Sequence, residues 1–537
     1  MSLKRLAYTT WVIFIVLLVA VHAWHLRADF PNFSPWEDYS KYTDEGWYGS
    51  AAIRSHLFGN WYVPGDFNPA PAVPVWPFLQ WILFFFTGVT PQAARGLAVA
   101  FFFLNLFLSY KLFRERGPRW AGLFAVTLLA TSPFLYCFSR LAILEPLLIA
   151  LTLGAMNLAI RLPGFRHKEA VSAFIGFLFT LMLLTKTTAV FLLPALVWMM
   201  ALPLWKQKGK LVRMFAAAGF TSAITFAGWM LLVVNLGLFE DYKYLFFVNV
   251  YNKPHGLWGR LASFWWSFHG GLWVDTVLIP LAGLLILAAL GTRLYNSPRR
   301  MKADWQPNWT SGLWRDPLFS GSVLAVAGYI GFMTYQNHPQ PRYYTVVAFF
   351  SFFVVVRVTA QLLYQSAAQQ LRARRAGIVI LALVLITTAV NGVWTLNYVA
   401  HPQYTFVTAA ENLTRYIDEH PNGKRLLVSI SGDEITLVSH LPALCDDFGT
   451  MDLPSKMALY QPGWYAGWNE LDPGTLEDLH VHFSLEQVAA FPAFDDPDRN
   501  VLYLFKLHPL ANGMARNPSD PAMRQPLPDD KIDVPVE

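Results

Sequence analysis

Residues 93–119, AARGLAVAFFFLNLFLSYKLFRERGPR, join a long apolar run to a cluster of basic side chains. A helix needs about 20 mostly apolar residues to cross the hydrocarbon core of a bilayer. Lys and Arg collect in short cytoplasmic loops beside such helices. The stretch therefore predicts a membrane-spanning helix that ends on the cytoplasmic side.

The composition of the whole chain has the same character. Of its 537 residues, 55% are hydrophobic and only 14% are charged, and the mean hydropathy is +0.35. Soluble globular proteins carry about 25% charged residues, so the composition excludes a soluble globular chain. It equally excludes disordered, collagen-like and disulfide-rich secreted chains. The net charge of +6 suggests nucleic-acid binding at first sight, but we interpret it as a membrane signal because the basic residues cluster beside apolar runs.

Ten further apolar runs have the length of a span. They lie near residues 7–23, 119–138, 142–160, 170–185, 187–204, 213–236, 272–291, 318–335, 343–360 and 376–398. A twelfth run, 77–89, has 13 residues and is short for a span.

The basic residues decide whether the short run crosses. They form six clusters, within residues 4–5, 111–119, 161–168, 206–213, 293–302 and 372–375. With eleven spans all six clusters share one side, whereas a crossing at 77–89 would place the first cluster opposite the other five. We therefore predict eleven transmembrane helices, a re-entrant or interfacial helix at 77–89, a cytoplasmic N-terminus and an outer C-terminal region.

Two features of the outer side stay open. The first apolar run could be a secretory signal peptide, because Ala23 follows it, but we favour an uncleaved anchor since Trp24 to Arg27 offer no clear cleavage site. Both alternatives put residue 24 outside. The two cysteines, Cys137 and Cys445, are too few for a cysteine-based zinc or iron–sulfur site. Both are predicted on the outer side, so a disulfide between them is an alternative.

The chain divides into three parts. Residues 1–400 form a transmembrane domain with two large outer loops, 24–76 and 237–271. Residues 401–510 form an outer α/β domain, with helices near 405–419 and 433–440 and strands at 425–431 and 501–507. Residues 511–537 form a Pro-rich tail predicted to be disordered. The chain has no internal repeat of the kind found in many transporters.

A few acidic residues lie where the outer loops meet the spans, and charge beside lipid is costly unless it has a purpose. Asp44 and Glu45 open a helical pattern, so they could simply cap that helix and complement its dipole. Glu145 follows Arg140 and precedes a span that begins at Pro146, where a structural cap is again an alternative. The functional interpretation is that these carboxylates face a substrate just outside the bilayer.

Outer cations accompany these acids. Lys186 separates two apolar runs. The alternative without a functional role is snorkelling, in which the apolar stem of the side chain lies against lipid and the ammonium group reaches water. Arg342 lies in a segment with His338, Tyr343 and Tyr344, which could be an interfacial anchor. Arg95 at the start of the second span is ambiguous in the same way, and His255 in the second outer loop is a secondary candidate. Carboxylates that deprotonate a nucleophile, beside cations that stabilise a departing phosphate, suit a transfer from a lipid phosphate.

The order of these motifs resembles a known family. DE followed by YxxAA in the first outer loop, then SRxAxLE, LTK and RYY, is similar to the GT-C membrane glycosyltransferases. The nearest branch is the protein O-mannosyltransferases and bacterial aminoarabinose transferases of the glycosyltransferase 39 type. The resemblance spans roughly residues 5–400 and is sharp only in the four motifs. It implies a GT-C fold, and the outer α/β domain fits bacterial members.

The resemblance also implies roles for individual residues. Asp44 matches an essential carboxylate, and Glu145 matches an acid that is usually Asp in the family. Lys186, Arg342 and Arg95 match basic positions of the family. One segment departs from the pattern, because PVWPFLQW at 74–81 stands where aminoarabinose transferases usually carry KPPL-x-YW. The missing lysine weakens the case for that donor and for a lipid A acceptor.

Charges and resemblance together predict an inverting glycosyltransferase of the cell envelope. It would move a hexose or pentose from a polyprenyl-phosphate donor, a lipid-linked sugar, to a hydroxyl of a lipid, glycan or protein acceptor. The reaction would take place on the outer face of the bacterial inner membrane, among membrane lipids and without nucleic acid. One alternative is a transporter or flippase for a lipid-linked or anionic substrate, which would need charges in mid-span. Another is a non-catalytic envelope assembly protein.

The predicted roles follow from charge. Asp44 is the candidate general base, and Glu45 and Glu145 would orient the acceptor or hold Mg²⁺ or Mn²⁺, although the reaction need not require a metal. The candidates for binding the donor phosphate are Lys186, Arg342 and Arg95.

Overall fold

The computed structural model describes residues 3–31, 33–248, 254–296, 309–363, 371–469, 471–494 and 499–510. The tail predicted at 511–537 lies outside the described residues. Most of the described chain is helical, with one small sheet near the C-terminus.

The helices of the first 400 residues carry the membrane-spanning segments. They are α1 (Leu3–His22), α2 (Asp44–Phe58), α3 (Val75–Thr87), α4 (Pro91–Arg116), α5 (Arg119–Thr131), α6 (Pro133–Arg140), α7 (Glu145–Arg161), α8 (Lys168–Leu183), α9 (Leu193–Ala201), α10 (Lys208–Asn235), α11 (Phe239–Lys243), α12 (Gly256–Val274), α13 (Leu278–Asn296), α14 (Trp309–Trp314), α15 (Pro317–Gln336), α16 (Tyr344–Leu363) and α17 (Leu371–Ala400). Helix α16 is the central one, because nearly all of its side chains are buried against neighbouring helices.

Fewer helices than predicted have the length of a span. Among the described residues, eight are long and apolar enough to cross a membrane, or nine if α5 and α6 count as one bent span. Helices α5 and α6 meet at an angle of 70°, because Ser132 caps α6 and Pro133 cannot continue the preceding helix. The remaining two predicted spans are short: α8 has 16 residues, and the apolar part of α13 is Leu278–Arg293. Helix α3, over the run 77–89, has 13 residues and is likewise too short for a span.

The helix ends that carry basic clusters lie together. Tyr8 of α1 contacts Tyr110 of α4 through their hydroxyls at 3.1 Å. Arg161 at the end of α7 pairs with Glu115 at the end of α4. At the opposite end, the first loop contacts the segment after α17, where Asp29 N donates to Gln403 O at 2.9 Å. The basic clusters at the start of α1 and at the ends of α4 and α7 therefore lie together, and the first loop contacts the segment after α17 at the other end of α1.

A compact α/β unit follows α17. Its helices are α18 (Thr405–Glu419), α19 (Gly432–Ser439), α20 (Leu453–Tyr460) and α21 (Pro473–His480), and its strands are β1 (Lys424–Val428), β2 (Ala443–Leu444), β3 (Pro462–Trp468), β4 (Phe483–Pro492) and β5 (Val501–Pro509). The sheet order is β2-β1-β3-β5-β4. β1 runs parallel to β2 and β3, whereas β5 runs antiparallel to β3 and β4.

The sequence predicted part of this unit. The helix predicted at 405–419 is α18, the helix predicted at 433–440 is α19, and the predicted strands correspond to β1 and β5. β3, the fully buried strand PGWYAGW, has no alternating pattern because both of its faces are covered. Cys137 and Cys445 are buried and free, so the structure does not contain the disulfide that the sequence left open.

Candidate active site

Helix α2 carries the adjacent carboxylates Asp44 and Glu45 in its first turn. The residue before it, Thr43, makes no capping hydrogen bond with its side chain; its hydroxyl donates to Tyr39 O at 2.7 Å. Consecutive residues of a helix point about 100° apart. Asp44 and Glu45 therefore reach two different groups of partners.

Asp44 lies in a buried cluster with Arg342. Arg342 Nε is 3.2 Å from Asp44 Oδ2, and the Asp44 side chain is 2% exposed. A second carboxylate, Asp38, holds the same arginine: it accepts from the Arg342 backbone N–H at 2.9 Å and forms an ion pair with the guanidinium. Asp38 is fixed in turn by the Ser40 N–H, which donates to it at 2.8 Å. One guanidinium thus lies between two acids of the first loop.

Glu145 and Lys186 form the second part of this cluster. They make a buried ion pair between the start of α7 and the break between α8 and a short 3₁₀ turn. Lys186 Nζ also lies 4.7 Å from the centre of the Tyr343 ring, and Arg342 Cζ lies 5.1 Å from the same centre. Cations over an aromatic face are favoured electrostatically. The Tyr343 ring therefore joins the two cations into one site.

The electrostatics of the site leave Asp44 close to its titration point at neutral pH. Burial raises the pKa of Asp44 to about 6, with Arg342 and Lys186 opposing the increase. Among the described residues, Asp44 Oδ2 and Glu145 Oε2 are buried oxygens without a hydrogen-bond donor. Buried acceptors of this kind normally have a partner. The arrangement suits a base that accepts a proton from a bound hydroxyl group.

Glu45 lies in a separate site with Arg95. Arg95 donates to both Glu45 oxygens, at 2.8 and 2.6 Å, and Glu45 also accepts from Ala142 N–H at 2.7 Å. The Arg95 guanidinium further donates to Leu26 O and Ala28 O, at 3.1 and 2.7 Å. These contacts join α2, α4 and the first loop. The phosphate-binding role of Arg95 stays a prediction, and its contacts favour a role in holding α2.

Two secondary candidates lie close to the Asp44 cluster. Tyr344 is buried and donates to Ser267 O at 2.7 Å, so its hydroxyl is committed to α12. His338 packs edge-on against Tyr343, with 6.2 Å between the ring centres. Burial lowers the pKa of His338 to about 3, and Arg342 adds to the decrease, so this histidine is neutral at physiological pH.

Two other secondary candidates contact different groups. Arg140, at the end of α6, donates to His25 O at 2.6 Å and lies 4.7 Å from the centre of the Tyr136 ring. His255 is exposed and precedes α12, and its side chain makes no capping hydrogen bond. Their predicted involvement in the reaction stays a prediction.

The candidate carboxylates do not converge as metal ligands. In the part of the chain that the structure describes, no group of three or more His, Cys, Asp or Glu residues is arranged to hold a metal ion. Each of the three candidate ligands is instead paired with a cationic side chain. The residues present do not fit an Mg²⁺ or Mn²⁺ site, and the metal requirement stays an untested expectation.

Sequence reasoning missed the charged contacts of the C-terminal unit. Arg54 of α2 donates to Asp66 of the first loop at 2.7 Å and to Asp433 of α19 at 2.8 Å, and all three are buried. Asp38 was missed in the same way. Its only signal is an acid in a loop on the same side as an unexplained outer arginine. No local pattern indicates a partner hundreds of residues away.

An apolar cavity of about 370 Å³ lies between α2, α3 and α10. Its walls include Ser55 of α2, Trp81 of α3 and Leu232 of α10. The start of α3 is tied to the segment before Lys186, because Val75 N–H donates to Leu184 O at 3.3 Å. Helix α3 thus lines the cavity and also contacts the segment that precedes Lys186.

A family model matches part of the chain. Residues 69–231 match the family model of dolichyl-phosphate-mannose-protein mannosyltransferases, a range that includes Glu145 and Lys186 but not Asp44 or Arg342. No curated protein sequence matches the chain significantly.

Two solved structures share its architecture. ArnT from Cupriavidus metallidurans, bound to undecaprenyl phosphate, is 14% identical with a TM-score of 0.56, over 93% of this chain and 98% of that one. The oligosaccharyltransferase AglB from Archaeoglobus fulgidus, in complex with an inhibitory peptide and a dolichol-phosphate, is 12% identical with a TM-score of 0.51, over 94% and 74%. The fold is shared along nearly the whole chain and the family match lies inside it: this chain has the fold of the GT-C membrane glycosyltransferases, as the resemblance implied.

Proposed function

We propose that the chain is an inverting glycosyltransferase that takes its sugar from a polyprenyl phosphate. The observation that carries the proposal is one buried cluster that combines Asp44, a carboxylate with a pKa near neutrality, with the cations Lys186 and Arg342. A base and phosphate-binding cations are the two requirements of such a transfer.

The reaction is a single displacement at the anomeric carbon of the sugar. Asp44 takes the proton of the acceptor hydroxyl as the new bond from its oxygen to the anomeric carbon forms. The bond from the anomeric carbon to the phosphate oxygen breaks, and its electron pair leaves with the polyprenyl phosphate. Lys186 and Arg342 stabilise that charge. Because the attack comes from the face opposite the leaving group, the anomeric configuration inverts.

The donor class is supported by the surroundings of the cluster. Both similar structures hold a polyprenyl phosphate, undecaprenyl phosphate in ArnT and a dolichol-phosphate in AglB. Here α3 lines an apolar cavity and its first residue contacts Leu184, two residues before Lys186, so we place the phosphate of the donor at Lys186 and its isoprenoid tail between α2, α3 and α10. Apolar cavities of several hundred Å³ are typical of ligand sites.

The outer face of the bacterial inner membrane is the location that the charge pattern favours. The basic residues at the ends of α4 and α7 lie at the opposite ends of these helices from Arg95 and Glu145, and short cytoplasmic loops collect basic residues. The acceptor is then a hydroxyl group of a lipid, glycan or protein outside the bilayer.

The test uses the full-length protein purified into lipid nanodiscs. Undecaprenyl-phosphate hexoses and pentoses are supplied one at a time with a panel of lipid, glycan and peptide acceptors, and released undecaprenyl phosphate is measured. We expect one donor to be consumed, with NMR showing an inverted anomeric configuration in the product. A product of retained configuration would contradict the single displacement.

A companion assay separates a transferase from a flippase. The protein is reconstituted into vesicles that carry the same donors, and the sidedness of the lipid-linked sugar is followed with time. Movement of an intact donor across the bilayer, with no sugar released under any condition, would replace the transferase by a flippase.

A further inference from the structure

The first turn of α2 receives a hydrogen bond from a residue far away in the chain. Gly46, the third residue of α2, donates its backbone N–H to Glu434 Oε2 of α19 at 2.7 Å. An N-cap side chain normally accepts from this N–H or the one before it. Thr43, at the N-cap position, makes no such bond. Glu434 therefore takes the place of the capping side chain.

The two helices touch backbone to backbone at this point. A Cβ atom on Gly46 would lie 2.2 Å from the carbonyl carbon of Asp433 and 2.3 Å from the backbone nitrogen of Glu434. Any residue other than glycine would push α19 away from α2. The position thus allows the contact that brings the Glu434 carboxyl within reach of the α2 amide.

We propose that Glu434 of the C-terminal unit is a positioning residue for the catalytic carboxylate, because it caps the helix that carries Asp44. The inference rests on the proposed function for its catalytic consequence. Asp44 and Glu45 are the first two residues of α2, so a frayed first turn would move both of them. A displacement of about 1 Å at a reacting group can cost about 100-fold in rate. The C-terminal unit therefore acts on the active site through the position of α2.

The same interface contains a matched control. Asp29 of the first loop caps α18 of the C-terminal unit in the reverse direction. It accepts from Phe406 N–H at 2.8 Å, from Val407 N–H at 3.2 Å and from the Thr405 hydroxyl at 3.1 Å. Asp29→Ala removes a cap between the same two parts of the protein without touching α2.

Glutamine is the conservative replacement for Glu434. Burial raises the pKa of Glu434 well above its ordinary value, and the neighbouring Glu45 adds to the increase, which favours the protonated acid. The amide oxygen of Glu434→Gln can still accept from the Gly46 N–H. Glu434→Ala removes the acceptor altogether.

The cap is tested by hydrogen exchange on the full-length protein in nanodiscs, with no donor present. We expect Glu434→Ala to speed amide exchange in peptides covering residues 44–50, and Glu434→Gln to leave it unchanged. Asp29→Ala should speed exchange at residues 405–411 instead. Unchanged exchange at 44–50 in Glu434→Ala would overturn the inference. If Glu434→Ala does not fold, Glu434→Asp, one methylene shorter, is measured in its place.

The catalytic consequence is tested with the donor that the wild type consumes. We expect Glu434→Ala to lower kcat about 10- to 100-fold with an unchanged donor KM, and Glu434→Gln to restore kcat. Asp29→Ala should keep a kcat close to the wild type. A wild-type kcat in Glu434→Ala, or an equal loss in Asp29→Ala, would overturn the positioning role. A wild type that consumes no donor would defeat the proposed function, while the exchange experiment would still decide the cap.

Discussion

Arg342 Nε and Asp44 Oδ2 lie 3.2 Å apart in a site that excludes solvent. The arginine belongs to the turn before α16 and the carboxylate to the first turn of α2. Because Asp38 binds the same guanidinium, Arg342 does not fully offset the burial of Asp44. The candidate base Asp44 therefore keeps a pKa of about 6.

Replacing Asp44 by asparagine should abolish transfer and preserve the fold. Asparagine has the shape of the protonated acid but cannot accept the acceptor's proton. We expect the rate to fall by about 10²- to 10⁴-fold, measured as undecaprenyl phosphate released. The control is Asp418→Asn. Asp418 is an exposed carboxylate of α18 that pairs with Arg425 of β1, and this variant should keep full activity. Normal transfer by Asp44→Asn would remove Asp44 from the mechanism.

The rate should depend on pH with an acidic limb near pH 6. Burial raises the pKa of Asp44 to about 6, so lowering the pH through 6 protonates the base and kcat falls. This limb is read from kcat measured between pH 4.5 and 8 in the wild type. A profile that stays flat through pH 6 would argue against Asp44 as the base.

The free energy of unfolding should rise as Asp44 becomes protonated, whereas the rate of transfer should fall. The pKa of Asp44 is higher in the folded protein than its ordinary 3.8, so protonation favours folding. The stability that this provides is fully present below about pH 4 and is lost as the pH rises through 6. At pH 7.5 the free energy of unfolding of Asp44→Asn should therefore exceed that of the wild type by on the order of 3 kcal/mol. The variant should melt at a higher temperature at this pH, and the difference should vanish at low pH. A lower melting temperature at pH 7.5 would contradict the raised pKa.

The contribution of the Lys186–Glu145 ion pair to stability can be measured separately from the contribution of Lys186 to donor binding. Lys186→Met alone leaves Glu145 buried without its partner, which should cost about 3–5 kcal/mol. Adding Glu145→Gln removes the second charge and should recover most of that stability. The double variant should still bind undecaprenyl phosphate at least tenfold more weakly than the wild type, measured by the ligand's thermal shift. Wild-type affinity in the stable double variant would mean that the pair only holds the fold together.

Glu45 and Arg95 should behave differently. Either single neutral variant leaves a buried charge and should lose about 3–5 kcal/mol of stability. Glu45→Leu with Arg95→Met should recover much of it and keep the wild-type affinity for undecaprenyl phosphate, because the Arg95 guanidinium is occupied by protein oxygens. A clear loss of that affinity in the double variant would return Arg95 to the phosphate-binding set.

The apolar cavity should recognise the length of the isoprenoid. Ser55→Trp places an indole in the cavity between α2 and α10 and should weaken the binding of undecaprenyl phosphate about tenfold. A phosphate with a ten-carbon isoprenoid should bind the variant and the wild type alike, because its tail is too short to fill the cavity. Equal losses for both lipids would place the tail elsewhere.

The sequence motifs predicted which charged residues lie together better than they predicted which groups each residue contacts. Asp44, Glu145, Lys186 and Arg342 come together in the structure, although α7 and α16 start far apart in the chain. Each was recognisable because an ionised group beside lipid is costly and therefore unusual. Arg95 carried the same signal, yet its guanidinium is bound to Glu45 and two carbonyls. The energetic cost of an ionised group beside lipid shows that the charge is unusual, but it does not show which group the charge contacts.

The number of transmembrane helices was also predicted only in part, because eight or nine of the described helices have the length of a span where eleven were predicted. Most of the predicted apolar runs correspond to helices, but α12 (Gly256–Val274) lies mainly in the predicted outer loop 237–271, and the run at 119–138 breaks at Ser132 and bends by 70°. Hydrophobicity averages over such a run, whereas one proline and one capping serine divide it.

The sequence by itself determined where most of the apolar helices lie, which of their ends carry basic residues, and which few charges are out of place. These are properties of single segments, since the transfer of a segment into lipid depends on its own composition. Only the tertiary structure decided the partners: Asp38 for Arg342, Arg95 for Glu45, and Glu434 for the amide of Gly46. An ion pair or a cap depends on a separation of about 3 Å between atoms, and that separation is set by the packing of distant segments.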